Sequence, residues 1–191
     1  MKYLKFLWWS FFLLGCSNPD QLDLNKWTAY QLTPMEKQGW YVVERYDDQG
    51  KLLEKGFLFE GKKMGAWTEY NEKFLFPQKI SHFINDNFYG PYTEFNLQGQ
   101  VSLMANYKDN LLDGPWTSFR ISRPTVEAFY KNGKLEGVYK EYDYKNGKLQ
   151  KEIYYVNGLE DGPYRFYNPD GNITMEYQYK KGERISGGIV D

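Results

Sequence analysis

The chain has 191 residues, with 24 Lys and Arg against 25 Asp and Glu for a net charge of -1, a balance that supplies neither a basic surface for nucleic acid nor an acidic tail. Aromatic residues make up 19% of it and mean hydropathy is -0.73; disordered chains lack aromatics and ordinary cores lean on Leu and Val, so Tyr-rich β-structure is expected. One Cys excludes an internal disulfide and a Cys-based zinc site, one His excludes a multi-His metal site, and no cofactor is expected.

The first element is a targeting segment. Lys2 and Lys5 precede an apolar run from Phe6 to Leu14 that only Ser10 interrupts, after which Gly15 to Asp20 turn small and polar. The run falls short of the roughly 20 apolar residues a spanning helix needs. A charged start, a short apolar stretch and a small residue before a cut are the parts of a secretory signal, placed here at residues 1–15. The stretch Leu13-Leu14-Gly15-Cys16 resembles the lipobox of bacterial lipoproteins, which implies cleavage before Cys16 and a lipid anchor on it. The competing reading is a buried thiol or a plain signal anchor. In proteins of this kind a residue other than Asp after the Cys favours the outer membrane, and Ser17 fits; the domain would then face the periplasm or the cell surface. Removing residues 1–15 takes two Lys and no acid, so the mature chain carries 22 basic and 25 acidic residues and has no general attraction to anionic lipid.

Residues 16–38 read as the lipidated Cys, a tether and an N-terminal cap strand around Trp27 to Leu32. A repeat organises 39–191. Gly is followed two residues later by an aromatic and five residues later by Tyr or Phe: Gly65-Ala-Trp67-Thr-Glu-Tyr70, Gly90-Pro-Tyr92-Thr-Glu-Phe95, Gly114-Pro-Trp116-Thr-Ser-Phe119, Gly137-Val-Tyr139-Lys-Glu-Tyr142 and Gly162-Pro-Tyr164-Arg-Phe-Tyr167. A weaker unit starts at Gly39, and Gly187 lacks its aromatics. The successive Gly spacings are 26, 25, 24, 23, 25 and 25, the signature of stacked units. Phe83, Tyr107, Tyr130 and Tyr155 each stand seven residues before the next anchoring Gly. Turn signals such as Asp48-Gln49-Gly50, Lys145-Asn146-Gly147 and Asn168-Pro-Asp170-Gly171 separate the two halves of each unit. Val101, Leu103, Ala105 and Tyr107 alternate with polar residues, as do Ile173, Met175, Tyr177 and Tyr179. Each unit is therefore expected to be two short antiparallel strands, and the fold an all-β, elongated array of about 24-residue hairpins with roughly a dozen strands, since a lone hairpin cannot bury its apolar face.

The motif G-x-W/Y-x-x-Y/F with an upstream Y-x-x-G resembles the variant MORN repeat of bacterial proteins, many of them described as antitoxin-like. The resemblance implies a β-hairpin meander used for protein or membrane contacts, with no catalytic mechanism to transfer. Asn110 replaces the upstream Gly, and the loop from Arg120 to Pro124 has lost its Gly turn.

Candidate chemistry is sparse. Glu69, Glu94 and Glu141 hold one place in three repeats, and paired carboxylates do acid–base work on glycosides, but in a regular meander they stand about 10 Å apart, beyond the roughly 6.5–9.5 Å of inverting glycosidases. A solvated stripe is the ordinary reading, and no catalytic residue is assigned. His82 is expected on the wet face beside Phe83. Asn168 to Asn172 lacks the acidic count of a calcium loop and reads as a hairpin turn. Lys62-Lys63 and Lys180-Lys181 fall at expected hairpin tips. The column Trp67, Tyr92, Trp116, Tyr139 and Tyr164 is either a structural cover over backbone beside a Gly or an exposed ladder for a partner, since Trp and Tyr dominate interface hot spots. The expectation is a membrane-anchored binding protein with a protein partner at the cell envelope, in an antitoxin-like or immunity role, and with a glycan or a structural scaffold role as the alternative; nucleic acid is excluded.

Overall fold

The computed structural model describes residues 25–73 and 76–190. The expected signal segment and Cys16 lie outside the described residues. A 3-10 turn at Asn25–Trp27 leads into β1 (Gln31–Pro34), β2 (Trp40–Tyr46), β3 (Leu52–Phe59), β4 (Lys62–Tyr70), β5 (Pro77–Ile84), β6 (Asn87–Phe88), β7 (Gly90–Phe95), β8 (Val101–Lys108) and β9 (Leu111–Leu112). There follow β10 (Gly114–Arg120), β11 (Arg123–Lys131), β12 (Lys134–Leu135), β13 (Gly137–Tyr142), β14 (Leu149–Val156), β15 (Leu159–Tyr167), β16 (Ile173–Lys180) and β17 (Glu183–Ile189). All seventeen belong to one open antiparallel sheet in which each long strand pairs with the next in the chain. The count exceeds a dozen partly because β6, β9 and β12 are two-residue arms that fold back on β5, β8 and β11 before the chain resumes in the next long strand.

Gly90, Gly114 and Gly137 open β7, β10 and β13, and Gly65 and Gly162 stand three residues into β4 and β15. Gly65, Gly90, Gly114, Gly137 and Gly162 have φ of 68°, 99°, 119°, 75° and 142°, conformations that L side chains rarely adopt, which is why the repeat is counted by Gly. The Pro after Gly90 and Gly114 is tolerated inside a sheet for a related reason. Continuing the β5–β7 and β8–β10 registers sets Pro91 across from His82 and Pro115 across from Asn106, and those two carbonyls accept instead from Tyr89 N and Asp113 N, each at 2.9 Å, so no N–H is required of the Pro.

The far ends of several hairpins are closed by an Asx turn, six residues after the anchoring Gly at Asn96, Asp143 and Asn168 and eight after it at Asp47. Asn96 Oδ1 accepts from Gln98 N and Gln100 N at 2.9 and 3.0 Å, Asn168 Oδ1 from Asp170 N and Asn172 N at 3.0 and 2.9 Å, and Asp47 and Asp143 act likewise. The repeat starting at Gly114 has Arg120 in that place, and its turn is made by Ile121 and Ser122 at φ 51° and 57°. Each hairpin also carries a bulge before its last aromatic, as between Glu94 and Phe95, where Glu94 faces Leu103 and Phe95 faces Val101. Ser102 is the extra residue, so the strict alternation expected for β8 is broken at its start.

The sheet is a single layer with its packed core at one end. Trp27, Val43, Leu58, Trp67 and Phe83 are buried together, with Tyr30, Leu32, Tyr41 and Phe88 packed around them. The expected cap strand from Trp27 to Leu32 is instead the 3-10 turn followed by β1, and Trp27 Nε1 donates to Gly61 O at 3.0 Å to hold it down. Beyond Phe83 the deeply buried apolar residues are the small or branched Ala105, Ala128 and Ile153.

Candidate functional site

The register explains these small residues. Tyr92 faces Ala105, Trp116 faces Ala128 and Tyr139 faces Ile153, while Trp67 faces Ser81 and Tyr164 faces Tyr177. The first strand of a unit thus supplies a ring, and the second supplies a floor that is small in the first three units. Two residues along each second strand, Phe83, Tyr107, Tyr130, Tyr155 and Tyr179 extend the same face, so the rings meet edge to face: Tyr92 with Tyr107 at 5.4 Å between centroids, Trp116 with Tyr130 at 6.5 Å and Tyr139 with Tyr155 at 6.0 Å.

The column divides in two. Trp67 is 1% exposed and lies beneath the cap, with Trp27 5.7 Å and Tyr30 6.1 Å away. It is core, which removes it from the expected exposed ladder. The glycine it covers is Gly56 of the preceding strand, where a Cβ would stand 2.0 Å from its ring. Tyr92, Trp116, Tyr139 and Tyr164 remain half-buried. The cap is the physical reason: it reaches Trp67 and Phe83 but not the later repeats.

The phenols are fixed by carboxylates on the same strand. Tyr92 Oη donates to Glu94, and Tyr139 Oη donates to Glu141 at 3.0 Å. Burial first, and then the adjacent carboxylate, push both phenols well above their ordinary range, so they remain neutral donors. Tyr155, raised mainly by burial, reaches about 12.

The three repeated carboxylates are placed by the sheet as register partners of lysines. Lys79 on β5 faces Glu69 on one side and Glu94 on the other, and its Nζ lies 3.0 Å from Glu69. Lys151 lies 2.7 Å from Glu141. Glu69 lines an open depression with Arg45, Glu54, Tyr70 and Asn71, a lining that does not include Glu94 or Glu141. Glu54, which the repeat pattern did not flag, is the most heavily bonded acid here: Arg45 Nε donates at 2.9 Å, Tyr30 Oη at 2.8 Å and Trp67 Nε1 at 3.3 Å. Burial raises its pKa, but these donors outweigh burial and hold it below the usual carboxylate range. It serves as an ionised strut between cap and sheet.

Of the remaining candidates, His82 is half-buried with Nδ1 2.9 Å from Pro91 O, on the face opposite Phe83 as expected. Asn168 spends its Oδ1 on two backbone N–H groups in the hairpin turn. Lys62 is exposed, but Lys63 is not a solvated tip: its Nζ stands 3.9 Å from the Trp67 ring centroid and 4.9 Å from that of Phe83, and burial lowers its pKa. Lys180 pairs with Asp161 at 2.8 Å. Among the described residues no group of His, Cys, Asp or Glu is placed to hold a metal. The alternating small residue was legible in sequence, since Ser81, Ala105 and Ala128 each stand two residues before the Phe or Tyr that precedes the next Gly by seven.

Fold and face together define a repeat protein of stacked antiparallel hairpins. The family model described as MORN repeat variant matches residues 135–157 and 160–181, the hairpins built around β13–β14 and β15–β16. These two segments resemble the variant MORN repeat, and the earlier hairpins share their Gly spacing, ring position and bulge. No curated protein matches the chain. Among solved structures, a mutant of S. aureus TarM in complex with fondaparinux, alpha-GlcNAc-glycerol and UDP is 12% identical over 72% of this chain and 22% of that one, with a TM-score of 0.28. A second TarM structure is 13% identical over 71% and 21%, with a TM-score of 0.26. The chain spans about a fifth of the length of these structures.

Proposed function

We propose that this protein is a non-catalytic binding module of the bacterial cell envelope, held to the outer membrane by a lipid on Cys16, that presents the aromatic face from Tyr92 to Tyr179 to a protein partner. The observation that carries the reading is the half-buried ring row Tyr92, Trp116, Tyr139 and Tyr164 on a single-layer sheet, over which no other element packs among the described residues. Such rings offer large contact area with little rotamer entropy to lose. Their neutral phenols, tied to Glu94 and Glu141, are ordered before a partner arrives. An antitoxin-like or immunity role is the most specific form of this reading; because a lipid anchor holds the protein outside the cytosol, its target would be an envelope-acting or incoming effector.

Two experiments test it. Cys16→Ala should release the protein from membranes on fractionation; unchanged retention removes the lipid anchor from the proposal. In pull-downs from envelope extracts, Trp116→Ala with Tyr139→Ala should lose the partner while keeping the wild-type circular dichroism. A folded double variant that keeps every partner shows that the face is structural. Elution by soluble glycans alone transfers the reading to a glycan ligand.

A further inference from the structure

The turn between β10 and β11 departs from local preference three times. Its tip is Ile121 and Ser122 at φ 51° and 57°, where the turns opened by Asp47, Asn96, Asp143 and Asn168 place Gly50, Gly99, Gly147 and Gly171 at positive φ. Ile121 is also 66% exposed, an apolar side chain at the tip of a hairpin. The residues flanking the tip, Arg120 and Arg123, are register partners, and like charges directly opposite each other destabilise a ladder. A left-handed β-branched residue, an exposed apolar tip and a like-charge pair within four residues are the local conflicts that folded chains retain at functional sites.

The neighbouring turn adds to the charge. Arg120 Cζ lies 3.9 Å from the centroid of the Tyr144 ring, and Arg123 Nη1 donates to the carbonyl of Lys145. Lys145 and Lys148 are exposed, and Lys148 Nζ donates to Pro169 O. Among the described residues none of these four cations forms an ion pair. The one acid in the two turns, Asp143, spends its Oδ1 on Lys145 N and Asn146 N and its Oδ2 on Gln150.

We propose that Arg120, Ile121, Arg123, Lys145 and Lys148 form a second binding site, separate from the ring row, that takes an acidic protein segment with an apolar side chain among its carboxylates. The two guanidiniums are already held, one by the Tyr144 ring and one by a carbonyl, and keep donors free for the planar, bidentate bonds that carboxylates accept. Ile121, between them in the chain, meets the apolar side chain. The spread of charge selects a short segment over an anionic bilayer. The edge of the sheet that carries these turns also carries Asp47 and Asp48 in the first turn, Glu72 in the second and Asp170 in the sixth, so a flat anionic surface laid along it meets acids as well as cations. For a short segment on the two basic turns, Asp47, Asp48 and Glu72 stand several strands away, beyond the roughly 8 Å over which exposed charges act at physiological salt.

The test uses the purified full-length protein in a zwitterionic detergent and a labelled synthetic peptide of Asp and Glu around one Leu, with binding read by fluorescence anisotropy. The wild type should bind saturably, with an affinity that falls as salt is added. Arg120→Gln with Arg123→Gln should weaken binding about tenfold or more, and Ile121→Ser about threefold, both with unchanged circular dichroism. Lys131→Gln with Lys134→Gln removes the same charge near the other end of β11 and should leave the affinity unchanged. Trp116→Ala with Tyr139→Ala should leave it unchanged too, which separates this site from the ring row. The proposal is overturned by a wild type that ignores the peptide, or by Arg-pair or Ile121→Ser variants that bind it as the wild type does. Equal loss in the Lys131, Lys134 variant marks net charge alone and overturns it, and loss in the ring variant does so by assigning the peptide to the ring row. Displacement of the peptide by phosphatidylglycerol but not phosphatidylcholine added to the micelles marks a lipid contact and overturns it as well.

Discussion

Gly56→Ala is the sharpest test of the core. Gly56 on β3 faces Val43, and the ring of Trp67 lies directly over its Cα. An added Cβ would stand 2.0 Å from Cε3, 2.5 Å from Cδ2 and 2.7 Å from Cζ3 of that ring. The ring has no room to retreat: Trp67 is 1% exposed, Trp27 closes one side, Phe83 stands 6.3 Å away, and Lys63 lies over its face. Overpacking of a fixed core typically costs about 1–3 kcal/mol, and contact with three atoms of an immobile indole places this case near the top of the range. Gly56 is not among the glycines with positive φ, so Ala there recovers about 0.4–1 kcal/mol through the unfolded chain. The net loss should be about 2 kcal/mol, read as a lowered urea midpoint. Trp67→Ala alone should cost about 3–5 kcal/mol, as large aromatic truncations do. In that background Gly56→Ala should be stabilising by about 0.4–1 kcal/mol, the unfolded-chain effect alone, giving a coupling of about 3 kcal/mol. An equal cost of Gly56→Ala in both backgrounds would refute the steric account.

Two further outcomes follow from the geometry. Ile121 is a β-branched residue at φ 51° and 66% exposed, so Ile121→Gly should relieve about 1–2 kcal/mol of left-handed strain against about 0.5–1 kcal/mol of added chain entropy, for a small net rise in urea midpoint; a fall would show that the turn is not strained. The raised phenols predict alkaline lability: Tyr30 and Tyr155 move from 10.0 to about 12, and Tyr92, Tyr139 and Tyr142 move further in the same direction, burial being the leading cause in each. A group whose folded pKa is raised stabilises fully below its unfolded pKa and loses that contribution as pH climbs through the folded one. Stability should therefore fall from about pH 10 upward, with tyrosinate absorbance appearing together with unfolding; tyrosines that all titrate near 10 in the folded state would contradict the burial assigned to them.

The array itself was legible in the sequence because its cause is local. A Gly that must take positive φ, a ring two residues on and an Asx or Gly turn are constraints within one hairpin, and repetition at spacings of 23–26 residues makes them visible. The alternation of ring and small floor was equally local, written as Ala105 before Tyr107 and Ala128 before Tyr130. What the tertiary structure decided is the fate of identical positions. Trp67 and Trp116 occupy the same motif place, yet one is core and the other only half-buried, because the 3-10 turn and β1 fold over the first repeats alone. The pairings that build this cap, Tyr30 and Arg45 on Glu54 and Trp27 on Gly61, join residues up to 34 apart and follow no repeat. Lys63 shows the same division: its place at a hairpin tip suggests a solvated charge, yet it lies over the Trp67 ring of its own strand, and the pairing of β4 with β5 brings the Phe83 ring to it as well. Repeat periodicity specifies how each unit pairs with the next, and burial depends on what lies across the sheet face, a contact that no single unit encodes.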